Sequence, residues 1–332
     1  MNWTLHNCET PVRTPNGTRT DAWDIAYLVL KVLTIFTCGC GMLGNAVVVW
    51  LLAFHVRRNP FAVYILNLAV ADFLLLLCLD IIQFQEDISQ TTQSHTFLVV
   101  VRTILYLAYT MDLGLLMTIS VQRCLSVLFP IWYKVHRPQH LSTVVCSLLW
   151  GLALVIVTLD ILFCDIYIQH CSSSDTFLGI VLLGILTPVM ILSSVVLFVY
   201  TQRRPPQWRR RSSRLCVIIL ISVLVFVVCS LPLGIFWTIT HRLQISSYVC
   251  VLFCHFTQFT SSIGSSANPF VYFLVGRWKN SRFPESLRAL LSRILQEDPE
   301  VGSKGASSTN TNEVGSESQP SVVSAQVIPA LD

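Results

Sequence analysis

Charged residues are scarce in this chain of 332 residues. Asp, Glu, Lys and Arg make up 12% of it, whereas hydrophobic residues make up 53% and the mean hydropathy is +0.64. An average soluble chain carries roughly a quarter charged residues, so a water-soluble globule of this size is excluded. The composition also excludes a disordered chain, a collagen, a coiled coil and a small disulfide scaffold. It indicates one membrane domain with several spans.

Long stretches with almost no charge predict seven membrane-spanning helices, each of which needs roughly 20 mostly apolar residues. Asp72 in the second stretch and Asp112 in the third are the exceptions. The predicted spans cover residues 32–54, 61–79, 103–120, 141–159, 176–202, 215–240 and 243–276. The sequence therefore predicts an all-α membrane protein, a seven-transmembrane helix bundle within residues 26–276.

Acidic residues are absent from the loops after the first, third and fifth spans, which carry Arg and Lys instead. The positive-inside rule places these loops in the cytosol. We therefore expect a multi-pass plasma-membrane protein with residues 1–25 outside the cell and the C-terminus in the cytosol. Asn2 and Asn16 begin glycosylation sequons, which agree with an outer N-terminus.

Two segments follow the seventh span. In residues 277–296, Phe283, Leu287 and Leu291 recur at helical spacing beside several Arg residues. This pattern predicts a short amphipathic eighth helix on the inner lipid surface, with a solvated tail helix as the alternative. Residues 297–332 are rich in Ser, Thr, Gly and acids, which predicts a disordered cytoplasmic tail.

A few polar residues and prolines interrupt the apolar spans. Polar side chains are costly in lipid and usually functional, and a proline inside a helix creates a bend that can pivot. The polar residues are Asn45, Asp72, Asp112, Arg123, Ser265 and Asn268, and the prolines are Pro188, Pro232 and Pro269.

Together these positions resemble the rhodopsin-like G-protein-coupled receptors. Matching motifs occur in the right order on six of the predicted spans, so the resemblance runs from about residue 25 to 295. The motifs are Gly44-Asn45, Leu68-Ala69-Val70-Ala71-Asp72, Trp150, Pro188, the run from Phe226 to Pro232, and Asn268-Pro269-x-x-Tyr272.

Three departures from the common pattern resemble the Mas-related receptors within that group. Gln122 precedes Arg123 where most relatives have an acid, and Ser230 stands where a tryptophan is usual. No cysteine occurs between Cys78 and Cys124, so the usual disulfide at the top of the third span is absent. The strings from Arg123 to Tyr133 and from Ser265 to Pro269 agree with the same family.

The resemblance implies that Asp72, Asp112, Ser265, Asn268 and Asn45 converge in the middle of the bundle, with a sodium site at Asp72. Asp112 is a departure, because Mas relatives usually have a small neutral residue there. Two adjacent carboxylates in a low dielectric cannot both stay ionised without a cation. The cluster is therefore either a cation or proton site, or a neutral hydrogen-bonded pair. Beyond a sodium ion, no metal and no cofactor are expected.

By resemblance, Arg123 contacts the G protein once the sixth span swings outward. The implied hinges are Pro232 in the sixth span and Pro269, close to Tyr272, in the seventh. Gln122 cannot supply the charge that usually holds such an arginine back. We therefore expect a weak inactive-state lock and constitutive activity. The alternative is an arginine that only extends to the membrane surface.

Asp160 and Asp175 occupy positions where Mas-related receptors for cationic drugs and basic peptides carry acids. Arg102 lies near the top of the third span, so Asp and Arg together would suit a zwitterion such as an amino acid. The competing interpretation is that all three are solvated charges at the rim. The resemblance also implies a disulfide between Cys164 and Cys171, and Cys8 and Cys250 are either a second pair or free thiols.

The resemblance implies a receptor, not an enzyme, that senses an extracellular small molecule or peptide and activates Gq and/or Gi in sensory neurons, in nociception or itch. Arrestin and receptor kinases are expected to act on the tail, and no nucleic acid is expected. A seven-helix transporter is the alternative, but the sequence shows no internal repeat. A membrane hydrolase would need a nucleophile or metal motif, and none is visible.

Overall fold

The computed structural model describes residues 20–55, 60–88, 92–136, 138, 140–166, 179, 182–203, 206–239 and 247–277. Within these ranges the regular structure is entirely helical, without a strand. All of them belong to one compact unit. The prediction of an all-α bundle is confirmed.

Nine α-helices and two short π-helical turns make up the described chain. The helices are α1 (Thr20–Phe54), α2 (Pro60–Ile88), α3 (Thr92–Leu128), α4 (Pro130–His136), α5 (Leu141–Ile166), α6 (Thr187–Arg203), α7 (Pro206–Val225), α8 (Leu231–Ile239) and α9 (Ser247–Arg277). The π-helical turns are Leu182–Leu186, directly before α6, and Phe226–Ser230, between α7 and α8.

The helices extend beyond the predicted spans. Helix α1 begins at Thr20, and α7 begins at Pro206, within the basic loop that the sequence places before residue 215. Helix α4 was not predicted at all. Both α4 and α7 begin with a proline, a favourable first residue because its missing N–H would have no partner there.

By length and composition, six of the described helices are apolar enough to cross a membrane: α1, α2, α3, α5, α6 and the continuous sixth span formed by α7, the second π turn and α8. Helix α9 has sufficient length, at 31 residues. It is more polar because Ser, Thr, Gln and Asn recur on its buried face, including Thr257, Ser261 and Ser265. This helix is the seventh span.

The π turns stand next to the prolines of the fifth and sixth spans. Pro188 and Pro232 are each the second residue of the helix that follows its turn. In the second turn the N–H of Leu231 donates to the carbonyl of Phe226, five residues earlier. In a regular α-helix, the proline ring clashes with the carbonyl of the residue four positions earlier, and proline has no N–H to donate to it. A π turn at this point accommodates the proline, because the backbone is locally wider. Pro269 lies inside α9 without such a turn.

Helices α2 and α3 form the centre of the bundle, with Leu68, Leu75, Met111 and Leu113 fully enclosed. On α1, α5 and α6, by contrast, large apolar side chains point outward. Those surfaces suit a lipid environment. The indole N–H of Trp150 on α5 donates to Asn67 Oδ1 on α2 at 3.0 Å and ties the fourth span to the centre.

Candidate functional site

The two intramembrane carboxyl groups lie together in the middle of the bundle. Asp72 on α2 is 0% exposed and Asp112 on α3 is 2% exposed, and the two carboxyl groups lie within range of electrostatic interaction. Asn268 Nδ2 on α9 donates to Asp72 Oδ2 at 2.8 Å. The Ser265 hydroxyl also interacts with this carboxyl, although its geometry is not that of a hydrogen bond. The structure thus brings these four predicted residues into one cluster.

Asn45 lies beside this cluster and connects α1 to α9. Its amide Nδ2 donates to the carbonyl of Gly41 at 3.0 Å and to the carbonyl of Ser265 at 3.1 Å. Helices α1 and α9 approach closely here, since a Cβ at Gly41 would overlap the Ser266 hydroxyl. Asn45 therefore holds the backbone that presents Ser265 and does not contact the carboxyl groups through a hydrogen bond.

The cluster contains buried oxygen atoms that no hydrogen bond satisfies. They are Asp72 Oδ1, Asp112 Oδ1, Asn45 Oδ1 and Ser265 Oγ. Buried polar atoms in native proteins normally have a partner, and that partner can be another protein group, a water molecule or an ion. Hard cations prefer oxygen ligands of this kind. The donor set therefore fits a sodium ion.

Two tyrosines adjoin the cluster, of which the sequence singled out Tyr272 alone. Tyr272 on α9 is buried and lies within range of electrostatic interaction with the carboxyl groups of Asp72 and Asp112. Tyr109 on α3, one turn before Asp112, feels the Asp112 charge. Tyr109 could have been found from its position, because residues three apart in a helix share a face.

Tyr109 also contacts the distorted part of the sixth span. Its hydroxyl donates to the carbonyl of Ser230 at 3.2 Å, at the end of the π turn. A Cβ at Gly234 would overlap the Tyr109 hydroxyl, so this glycine provides the space for the ring. The Trp237 ring meets Tyr109 edge-on, with 5.3 Å between centroids. Tyr109 thus joins the carboxyl cluster to the predicted hinge at Pro232.

Arg123 is enclosed near the end of α3. It is 5% exposed, and its guanidinium carbon lies 3.1 Å from the ring centroid of Phe61, in the first turn of α2. Its neighbour Gln122 donates from Nε2 to the Tyr64 hydroxyl on α2 and accepts from the Tyr133 hydroxyl on α4 at 3.2 Å. The sequence identified Arg123 but not these aromatic partners.

Of the three predicted ligand-binding residues, only Arg102 has a described side chain. It is partly buried on α3, in the second turn of the apolar stretch 97–128. The backbone of Asp160 lies in α5, its side chain is not described, and Asp175 lies outside the described residues.

Aromatic side chains follow Arg102 along one face of α3. Tyr106 and Tyr109 lie four and seven residues further on, which is the spacing of one helical face. Both rings contact Trp237 of α8, with 6.1 Å between the centroids of Tyr106 and Trp237. We call Arg102, Tyr106, Tyr109 and Trp237 the α3–α8 face.

A further buried polar group, whose contacts were not predicted, joins the first, second and seventh spans. Gln83 Nε2 on α2 donates to Gln258 Oε1 on α9 at 2.7 Å and lies 3.4 Å from His255 Nδ1. Tyr27 meets the His255 ring edge-on at 4.6 Å, and the Lys31 ammonium lies 5.8 Å from the Tyr27 ring. The sequence treated Lys31 only as the edge of the first span, yet it is 5% exposed.

Several sequence predictions fall on residues whose structure is not described. They concern Asn2, Asn16, Cys171, the side chain of Cys164, the eighth helix in 277–296 and the tail in 297–332. Cys250 is disulfide-bonded, while Cys8, its candidate partner, lies outside the described residues. Among the described residues, no group of three His, Cys, Asp or Glu side chains is arranged to hold a metal ion.

Comparison with known proteins identifies the family. The 7 transmembrane receptor (rhodopsin family) pattern matches residues 44–272. The Mas-related G-protein coupled receptor member D of Macaca fascicularis is 45% identical over 322 residues, which are 95% of this chain and 100% of that protein. The chain belongs to the Mas-related receptors of the rhodopsin family. Member D of Homo sapiens is 44% identical over 323 residues, 95% of this chain and 100% of that protein.

Another Mas-related receptor, member X1 of Homo sapiens, is 38% identical over 314 residues, 92% of this chain and 95% of that protein. Within the family, the strings Ile185-Leu-Thr-Pro-Val-Met190 and Ala108-Tyr-Thr110 resemble member D, in agreement with the higher identities. The chain is thus similar to member D receptors over nearly its whole length.

Membership in the Mas-related receptors decides between the function classes that the sequence left open. The chain is a G-protein-coupled receptor and a multi-pass membrane protein, and its relatives are receptors, not enzymes. Its partners are therefore a G protein and an extracellular ligand. The transporter and hydrolase alternatives are wrong.

Proposed function

We propose that this Mas-related receptor senses a small zwitterionic amino acid, a small amine or a basic peptide at the outer end of the bundle. It responds by activating Gq and/or Gi, in sensory neurons that serve nociception or itch. The observation that carries the ligand class is the α3–α8 face. On this face Arg102 stands one helical turn before Tyr106, so its guanidinium would attract a carboxylate and the aromatic rings a cation.

Asp160 and Asp175, which the sequence singled out, would supply the negative charges of the proposed ligand site. Two carboxylates at one mouth raise the local concentration of a positively charged ligand. The proposed disulfide between Cys164 and Cys171 shortens the outer loop between the fourth and fifth spans, so the mouth is shallow and open. A zwitterion would then pair its carboxylate with Arg102 and its ammonium with an acid.

The ligand proposal is tested by screening β-alanine-like zwitterions and basic peptides against receptor variants at equal surface expression. Arg102→Ala should lower the potency of zwitterions by about tenfold or more, because a charge-assisted pair is lost. Arg102→Lys should recover part of it, since charge remains without the planar fork. Basic peptides should instead lose potency with Asp160→Ala and Asp175→Ala combined. Basic peptides acting equally on that double variant would refute the acidic mouth.

We infer that Asp72 and Asp112, with Ser265, Asn268 and Asn45 around them, hold a sodium ion that stabilises the inactive receptor. The four unsatisfied buried oxygens support this proposal. The ion would supply the positive charge that two buried carboxylates require. It would keep α2, α3 and α9 together through Asp72, Asp112 and Ser265.

Sodium dependence of agonist-independent nucleotide exchange tests the ion site. In membranes with the wild-type chain, replacing sodium by N-methylglucamine should raise basal exchange. Asp112→Asn should increase the sodium concentration for half-maximal suppression by about tenfold, because one of the two carboxylates is lost. Asp80→Asn, which removes another acid of α2, is the matched control. Sodium-independent exchange in the wild-type chain would identify a neutral hydrogen-bonded pair instead.

Activation is proposed to proceed as a population shift. Ligand binding would bias the bends at Pro232 and Pro269, and Arg123 would then reach the G protein. With the C-terminus in the cytosol, the basic segment around residues 203–214 would lie near acidic lipids or the G protein. Ser and Thr residues of the tail would carry the phosphates that receptor kinases add and arrestin reads.

A further inference from the structure

The aromatic face of Phe61 covers the Arg123 guanidinium. Phe61 is the second residue of α2, and Arg123 lies near the end of α3, so the contact bridges two different spans at one end of the bundle. The guanidinium carbon is 3.1 Å from the ring centroid, which is a face-on position. Both side chains are at least nine-tenths buried. Attraction between a cation and a ring is strongest under such desolvated conditions.

The residues around this pair keep the ring in place. The Phe61 and Tyr64 rings lie 6.3 Å apart, and Tyr64 accepts the hydrogen bond from Gln122, next to Arg123. Gln122 in turn accepts from Tyr133 of α4. The amide at position 122 is thus engaged by two tyrosines on two other helices, and this network fixes the end of α3 against α2.

We propose that Phe61 is a positioning residue that restrains Arg123 in the inactive receptor by a cation–π contact. The inference rests on the proposed role of Arg123 in contacting the G protein. In the observed conformation Arg123 is enclosed, so a G protein gains access to it only when the guanidinium leaves the ring. A ring gives a weaker hold than a carboxylate, because it offers a quadrupole in place of a full negative charge. The ring therefore contributes a mild restraint.

Graded fluorination of Phe61 tests the electrostatic part of this proposal. Fluorine withdraws electron density from the ring face while the ring keeps nearly the same shape, so folding is preserved. Phenylalanine and its mono-, di- and trifluoro derivatives are introduced at position 61, and basal guanine-nucleotide exchange is measured per receptor at the surface. Exchange should rise stepwise, to about threefold with the trifluoro ring. A flat series would overturn the proposal.

Natural substitutions complete the design. Phe61→Leu should raise basal exchange by roughly three- to tenfold, because it removes the ring face and keeps an apolar side chain. Phe73→Leu makes the same change about 18 Å further along α2 and should leave exchange unchanged. An equal rise in both variants would overturn the proposal, since general loosening of α2 would then be the cause.

Arg123→Ala separates this inference from the function on which it rests. If Arg123→Ala lowers exchange while the fluorinated series is flat, the role of Arg123 stands and only the restraint by Phe61 is wrong. If Arg123→Ala leaves exchange unchanged, the proposed role of Arg123 is wrong and the inference falls with it. The combination Phe61→Leu with Arg123→Ala should show no rise above Arg123→Ala alone.

Discussion

Tyr109 is the residue that most directly connects the carboxyl cluster to the sixth span. It feels the charge of Asp112, donates a hydrogen bond to Ser230 and fills the space beside Gly234. The rhodopsin-like pattern usually has a tryptophan where this chain has Ser230. The Tyr109 ring, whose hydroxyl donates to the Ser230 carbonyl, supplies aromatic bulk beside this position.

Gly234 tests whether Tyr109 needs its observed position. Gly234→Ala places a Cβ against the Tyr109 hydroxyl, so the ring must move and its hydrogen bond to Ser230 is strained. We expect the purified receptor to lose about 1–3 kcal/mol of unfolding free energy, as for other overpacked cores. Thermal unfolding measures this loss as a lower Tm.

Gly151→Ala on α5 provides the control, because a Cβ there meets nothing within 4 Å. This variant should unfold at or slightly above the wild-type temperature, since alanine favours the helix. Equal Tm values for Gly234→Ala and the wild-type protein would show that Tyr109 can move without cost.

At the scale of the elements, hydrophobic runs predicted the spans well and their distortions poorly. A run of apolar residues locates a helix but is insensitive to one extra residue in a turn, so the π turns before Pro188 and Pro232 were not predicted. The start of α7 at Pro206 was missed because the basic residues there conceal a helix that extends beyond the apolar stretch.

The seventh span was predicted correctly from the sequence in spite of its polar composition. Helix α9 is rich in Ser, Thr and Asn, yet the lack of charged residues over 243–276 predicted a span here, and the motif around Asn268 and Pro269 agreed. Its polar side chains are tolerated because they face other helices. The Asn268 amide donates a hydrogen bond to Asp72 on α2, and the hydroxyl oxygens of Ser262 and Thr37 on α1 lie 2.6 Å apart. The sequence could name these residues but not their partners, which are more than a hundred positions away.

At the scale of the whole molecule, the few charges inside the bundle lie where a receptor of this family would switch. Asp72 and Asp112 were predicted to meet, and they do. The contact between Arg123 and Phe61 was not predicted, because an isolated phenylalanine in an apolar helix resembles ordinary core. Chain order alone does not reveal which ring lies opposite a given cation.

The modest net charge of +4 does not show how the charges are distributed over the molecule. The predicted inner loops are basic, the predicted outer face is acidic, and the two nearly cancel in the sum. Coupling to a G protein would use the inner face, and recognition of a cationic or zwitterionic ligand would use the outer one. The buried carboxylates and Arg123 lie between them along the bundle.

Guanine-nucleotide exchange on purified Gq and Gi heterotrimers, in membranes with and without the reconstituted receptor, tests the switch most directly. We predict that the wild-type chain accelerates exchange without any ligand, because its restraint on Arg123 is mild. Arg123→Ala should return exchange close to that of receptor-free membranes. Identical exchange with the wild-type chain, with Arg123→Ala and without receptor would contradict a constitutive switch that works through Arg123.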